Sequence, residues 1–496
     1  MKKNIIVSLI VIMVLIAGYF ILLGPKDGVK KNDEKGRADQ SIAVLPFVNM
    51  SNEPGQEYFS DGLADGILNS IAHLKGLKVC ARTSSFKFKG KLVGIKEIGK
   101  KLGVRTILEG SVQRYEDRVR IIVQLINAED EFHFWSEQYD EKMDNIFSVQ
   151  DKIANAIAAK LQITILENKQ QVPAKPTPTK EAYDLYLKGR ASWNLGTAPD
   201  FKKAIDFFTH AIALDTNFAM AYSGLADCYN ALGYGSFLAP KDAFPKAKDA
   251  ATKALQLDST LAEPHASLGF YRFYYDWDWE AAEEEFRTAI ALNSNYEIAY
   301  KGYGYYLTAM KRYDEAAIML KKAAELDPLS VPISTDMGFS LYYSGDYDNA
   351  IKKLQGTLQI NPKYPLAHIW LGRSYQAKQM YPQAIAEYKN ALQATPDWPV
   401  GLAQLGNVYG VSGNKGEAQK ILDTLNSLTK TKFVTSYGMA LVYAGLGEKD
   451  QAFLKLNNAY EERSNWLVWL KTDPRWMTFR SDKRFARLVS NVGLPE

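Results

Sequence analysis

Few side chains in this 496-residue sequence are of a type and spacing that could do chemistry. Gly94–Lys101 (GIKEIGKK) comes within one residue of the phosphate-cradling GxxxxGK[ST] loop. That loop needs a hydroxyl for magnesium where Lys101 stands, and a buried strand just before it. The preceding Phe86–Lys91 is too rich in lysine for such a strand, and Ile95, Ile98 and Leu102 have the spacing of a helix face. Nucleotide binding is therefore not expected. The five histidines, His73, His133, His210, His265 and His368, all lie more than five residues apart. Two cysteines, Cys80 and Cys228, leave no CxxC pair, and no HExxH or Ser/His/Asp pattern occurs. Glu283, Glu284 and Glu285 are consecutive, so their side chains diverge around a helix and read as a solvated face rather than an acid–base pair. No catalytic residue, metal ligand or cofactor is expected, and the chain reads as non-enzymatic.

Bulk properties agree. Sixty Lys+Arg against 56 Asp+Glu leave +4, too little and too evenly spread to mark a nucleic-acid binder. Hydrophobic residues at 47% and charged residues at 23% are ordinary for a globular chain. The length suits about three domains at roughly 150 residues each.

The elements that must position any functional surface begin with Ile5–Leu23, 19 residues without a charge. A helix of that length nearly crosses a hydrocarbon core of ~30 Å. Gly24, Pro25 and Lys26 follow in place of a small-x-small cleavage site, so residues 1–25 read as an uncleaved signal-anchor rather than a cleaved signal. The charged stretch 26–40 reads as a tether. Lys2 and Lys3 flank one side; Lys26, Lys30, Lys31, Lys35 and Arg37 flank the other, so the positive-inside count opposes export of the bulk chain.

Residues 41–165 read as a compact α/β (α+β) module. Strands are expected at Ile42–Phe47, Leu77–Ala81, Val104–Gln113, Val119–Ile126 and Phe132–Tyr139, and helices at about Tyr58–Leu74, Ile95–Leu102 and Asn145–Leu161. Gly62 and Gly66 read as close-packing points within their helix. The segments IAVLPFVNMS, EYFSDGLADGILNSIA, ARTSSFKFKG and GVRTILEGSVQ resemble the TolB-like amino-terminal domain, related to the flagellar FlgO-type fold. The resemblance runs from about Ser41 to Leu161. It implies a non-catalytic module of bacterial envelope proteins, commonly set between a membrane helix and tetratricopeptide repeats. It also implies an extracytoplasmic, periplasmic location for the bulk of the chain, against the charge count, with a cytoplasmic-facing arrangement as the alternative. Some related chains carry a cyclase or winged-helix output domain ahead of the membrane helix; only four residues precede Ile5 here.

A proline-rich linker is expected over 166–181, with Asn168–Lys180 (NKQQVPAKPTPTK) nearly free of apolar residues. Beyond it, Gly304, Gly338, Gly372, Gly406 and Ala440 recur every 34 residues, as do Ala316, Ala350, Ala384, Ala418 and Ala452. Within a unit, Ala316, Leu320, Ala323 and Pro328 are spaced by 4, 3 and 5, and Ala350, Leu354, Thr357 and Pro362 repeat that rule. Small residues at i and i+7 with a larger one at i+4 let a second helix approach closely. Proline then ends the helix. A 34-residue period with this signature is that of the tetratricopeptide repeat. Eight units are expected over 182–462, with extra residues near Trp193–Pro199, Gly233–Phe244 and Asp276 placed in loops. His265 and His368 take the slot held by Tyr222 and Tyr300, so both read as core. Residues 463–496, with two related boxes at Asp473–Trp476 and Asp482–Phe485, read as a helical cap on the last repeat.

The fold expected is thus multidomain: a transmembrane helix, a small α/β module, then an all-α tetratricopeptide-repeat superhelix. Residues just past each first helix's packing face should line the concave side. They are Phe270, Phe273 and Tyr274 in the third unit, Lys301 and Tyr305 in the fourth, Thr335, Phe339, Tyr342 and Tyr343 in the fifth, and Arg373 and Gln376 in the sixth. Two readings stand: a groove for an extended protein or peptide partner, or rings that fill a tightly wound superhelix. The function expected is a membrane-anchored interaction scaffold of the bacterial envelope. The alternatives are a regulatory or sensor subunit, or an enzyme with an unrecognised site.

Overall fold

The computed structural model describes residues 40–51, 56–143, 146–163 and 178–495. Ile5–Leu23, the tether and most of the linker lie outside the described residues. Among those described, no helix is long and apolar enough to cross a membrane.

In the module, strands β1 (Ser41–Val44), β2 (Val48–Asn49), β3 (Lys78–Val79), β4 (Thr106–Tyr115), β5 (Arg118–Asn127) and β6 (His133–Lys142) form one sheet in the order β3-β1-β4-β5-β6, with β2 on β4. β1 runs parallel to β3 and β4; β4, β5 and β6 form an antiparallel meander. Alternation on β5 sends Val119, Ile121, Val123 and Leu125 inward. Helices α1 (Glu57–Ala72) and, later in the chain, Ile146–Lys160 cover that face. The Gly94–Lys101 decoy is the helix Ile95–Leu102, closed by Gly103 in the left-handed region (φ 64°). Gly99 packs where a Cβ would stand 2.4 Å from Ala128 Cβ, so the stretch has no open backbone cradle.

From Lys180 onward, helices pair from Lys180–Trp193 with Ala198–Leu214 to Ser436–Leu446 with Lys449–Glu461, eight pairs among the described residues. The 34-residue step has a direct packing cause. A Cβ on Gly304, Gly338 or Gly372 would stand 2.8, 2.5 and 2.6 Å from Leu320, Leu354 and Tyr388, the large residue of each following helix. Not all the inserted residues become loops. The one near Asp276 is absorbed as a π-turn, Arg272–Asp276, with Trp277 left-handed at φ 59°. One extra residue in a helix is accommodated by an i→i+5 bond without breaking the rod. The longer second insertion also extends Pro240–Leu257 to 18 residues.

The expected linker over 166–181 suggests separate domains; the structure instead gives the module and the array one core. Phe59, Leu63 and Ile67 of α1 share a cluster with Tyr183, Tyr186, Leu187 and Phe208 of the first repeat. Gly62 admits Leu187, and Gly66 admits Gln150. A polar latch fixes the other side. Val79 N donates to Asn295 Oδ1 (2.9 Å), while Asn295 Nδ2 donates to the carbonyls of Ala72 and Leu77 (both 2.9 Å). Ala81 N donates to Leu326 O (2.8 Å), and Thr83 and Ser84 hydroxyls donate to Asp327. The physical reason is that an open solenoid leaves its first helix pair with an uncovered apolar face, which the module covers.

Candidate functional site

The concave face is built by the first helices of successive repeats, and the residues expected there do converge. Phe270 stacks on Tyr274 (centroids 6.2 Å, planes 3° apart), Tyr305 meets Phe339 edge-on at 5.1 Å, and Phe339 meets Tyr343 at 5.0 Å. Tyr342 packs on Tyr343 at 5.1 Å, and Trp370 joins both Phe339 and Tyr343. Two of the expected residues face elsewhere. Thr335 Oγ1 donates back to Val331 O (2.8 Å). Gln376 bridges Asn407 and Tyr388 in the inter-repeat core (2.7 and 3.0 Å).

Among the described residues, however, the strip does not form an open groove. Phe273, Phe339, Tyr342, Tyr343 and Arg373 are at most 5% exposed. The chain's own tail covers them. Trp469, in the 3-10 helix Asn465–Trp469, stacks on Tyr343 (4.7 Å, 18°) and takes Phe339 (5.0 Å, 88°) and Phe273 (5.9 Å, 85°) edge-on. Trp466 stacks on Tyr437 (6.2 Å) and donates its indole N–H to Ser236 Oγ (3.0 Å). Asn465 Nδ2 donates to Tyr234 O (2.9 Å), so the tail reaches back from the eighth repeat to the second. Trp476 is fully buried and donates to Tyr437 OH (2.8 Å). The tail also covers the last repeat, as a cap must: Phe479 meets Phe453 at 5.4 Å. A strip of rings in water is costly, and a segment of the same chain removes it at no cost in association entropy. Three of the nine tryptophans fall within 466–476, the one sequence signal that could have exposed this role.

Charge follows the rings inward. Burial alone would raise the Asp473 carboxyl, but Arg475 and, farther off, Arg373 more than reverse it and hold it below the ordinary range. On the same face, burial lifts Asp336 to about 6 despite Lys301 and Tyr305. Burial opposes the charge of Lys301, yet Tyr234, Asp336, Glu297 and Asp327 together raise it above its usual value.

Outside the strip, the Glu283–Glu285 run is only in part a solvated face. Glu283 accepts from Tyr303 OH (2.6 Å), Arg287 (2.8 Å) and Arg312 (2.8 Å), and Glu285 pairs with His265 Nδ1 at 2.7 Å. His368 is held at both nitrogens, by Glu387 (2.6 Å) and Pro362 O (2.9 Å).

Family models match three stretches. Residues 271–331 and 341–399 match models described as tetratricopeptide repeat. The array is built of tetratricopeptide repeats. Residues 38–156 match the model of the HilA/YgeH-like transcriptional regulator, second domain. The chain is 38% identical over 192 residues to "Putative adenylate cyclase 3" of Rhizobium meliloti, covering 38% of this chain and 32% of that protein. It is 24% identical over 221 residues to the transcriptional regulator HilA of Salmonella typhimurium, covering 45% of this chain and 33% of that one. The chain thus spans about a third of the length of these curated relatives. Among solved structures, PilF of Pseudomonas aeruginosa is 22% identical, covering 45% of this chain and 97% of that one, with a TM-score of 0.32.

Proposed function

We propose that the chain is a non-enzymatic, membrane-anchored interaction scaffold of the bacterial envelope, whose tetratricopeptide repeats receive protein or peptide segments. One observation carries this reading: the concave face already holds a peptide-like segment, with Trp466 and Trp469 seated among rings of three different repeats. Aromatic anchors in desolvated pockets are the usual source of peptide affinity. In this reading the tail is the resident ligand, and a partner must either displace it or use the outer helices. In this reading Ile5–Leu23 is the anchor, the TolB-like module follows it in the chain, and the bulk of the chain lies in the periplasm. The apolar run in the sequence and the family resemblance support the anchor and the location.

The test uses a labelled peptide of residues 464–480 as probe. The full chain should not bind it, whereas Trp466→Ala with Trp469→Ala should open the face and bind it while the helical signal persists. Folded variant without binding would refute the receptor reading. Orientation is read separately from reporter fusions at Lys180 and Glu496; cytoplasmic-type activity at both would reverse the assignment.

A second reading, a regulatory or sensor subunit, is favoured by the shared stretch with the cyclase-named and HilA proteins. Co-purification of a cyclase or a DNA-binding protein with the full chain would favour it over the scaffold.

A further inference from the structure

Three charged side chains are enclosed together where the tail crosses the sixth to eighth repeats. Arg373 is 1% exposed, and the side chains of Arg475 and Asp473 are 6% and 0% exposed. The one carboxylate is already committed, since Arg475 Nε donates to Asp473 Oδ1 (2.9 Å) and Nη2 to Oδ2 (2.5 Å). Arg475 Nη1 donates onward to Gln404 Oε1.

Arg373 turns to the same amide oxygen, with Nε donating to Gln404 Oε1 (3.0 Å) and Nη1 to Tyr343 OH (3.4 Å). Trp370 and Trp466 flank the guanidinium, with its carbon 4.2 and 5.2 Å from their ring centroids. Its Nη2 is buried and has no hydrogen-bond partner. No carboxylate among the described residues makes an ion pair with Arg373. Two cations and one anion therefore leave one net positive charge sealed among tyrosines and tryptophans. A buried charge without a counterion is costly in a protein interior. Cation–π contact with two indoles offsets part of that cost and leaves Nη2 unbonded.

Beside this guanidinium is a cavity of about 10 Å³, lined by Arg373, Gln404, Thr435, Tyr437 and Trp466 among others. That is room for one body near the size of a water molecule. A water would satisfy the N–H but leave the charge. We propose that the cavity holds a small monovalent anion of the halide class, chloride in a cell, seated on Arg373 Nη2 and sealed in by Trp466. Polyatomic anions such as sulfate are excluded by size. Because the wall comprises helices of the sixth, seventh and eighth repeats and the tail, the anion would pin the tail to the array. This inference does not depend on the scaffold reading.

The test melts the full chain in sodium chloride, sodium bromide and sodium gluconate at equal ionic strength. Hydrogen exchange over 465–479 is followed in parallel. Chloride and bromide should raise the melting temperature and slow exchange in the tail relative to gluconate. Above its Kd, each tenfold rise in free halide should shift the closed-to-open ratio about tenfold. Arg373→Gln should abolish the difference between salts. Should that variant fail to fold, crystals of the wild-type chain grown in bromide decide. An anomalous peak beside Arg373 Nη2 supports the site. Equal behaviour in the three salts, or bromide density absent from the cavity, overturns it.

Discussion

Trp469→Ala is the sharpest perturbation of the tail. The ring is 3% exposed and touches three others, stacking on Tyr343 and meeting Phe273 and Phe339 edge-on. Burying an aromatic side chain of this class removes roughly 150–250 Å² from water. At about 25 cal/mol per Å² that is about 4–6 kcal/mol. Alanine keeps part of it, and aromatic-to-alanine changes in cores cost about 3–5 kcal/mol. The loss should fall on docking of the tail rather than on the module, because a repeat array distributes its stability among neighbours. A loss of about 3 kcal/mol corresponds to roughly a 150-fold rise in local opening. Hydrogen exchange over 465–479 should accelerate by that order, while exchange in β4 and β5 stays as it was. Met477→Ala, in the same segment but 62% exposed, is the control and should shift stability by no more than about 0.5 kcal/mol. If Trp469→Ala changes tail exchange by less than about tenfold, the tail is not held by its rings and the account of the concave face is wrong.

Asp473→Asn should cost about 3–5 kcal/mol in urea denaturation, because it strands Arg475 in a buried site, whereas Asp482→Asn in the more exposed copy of the box should cost far less; equal costs would count against the burial of the first pair. Asn295→Ala removes three hydrogen bonds between array and module and should lower stability by about 1–3 kcal/mol, with earlier proteolysis of the module. His368 is raised against the opposing effect of burial, by Glu387 and the Pro362 carbonyl, and Asp336 is raised to about 6 by burial. Both bind protons more tightly folded than unfolded, so both contribute stability below their unfolded values that is lost as pH rises through the folded ones. Melting temperature should therefore fall as pH rises from 3.8 through about 6 on account of Asp336, and again above 6.5 on account of His368, and His368→Gln with Asp336→Asn should flatten that slope; an unchanged slope would rule these groups out as its source.

Much of the architecture was open to reading because its cause is local. The 34-residue recurrence of Gly304, Gly338 and Gly372 shows that a helix pair repeats, since each glycine admits one large side chain of the next helix. The meander of β4–β6 followed from alternation, and the Gly94–Lys101 decoy failed on its helical spacing. The inward offset of Phe339, Tyr343 and Arg373 was also legible, because helix geometry fixes which face a residue takes. Whether that face meets water or protein was not. Its cover, Trp469, lies 126 residues beyond Tyr343 in the chain, where no periodicity connects them.

The two boxes in the tail show the boundary most plainly. Asp473 accepts from Arg475 N at 3.0 Å, and Asp482 accepts from Arg484 N at 2.9 Å. In each, the aspartate caps its own helical turn and grips the arginine two residues on, and that much is set by local sequence. Tertiary structure then separates them. The first pair is enclosed with Arg373, where a counterion becomes a structural necessity; the second lies partly exposed to water, where it is worth less. The residues are nearly the same in both boxes, and only the dielectric around them differs, which depends on what the rest of the chain brings alongside.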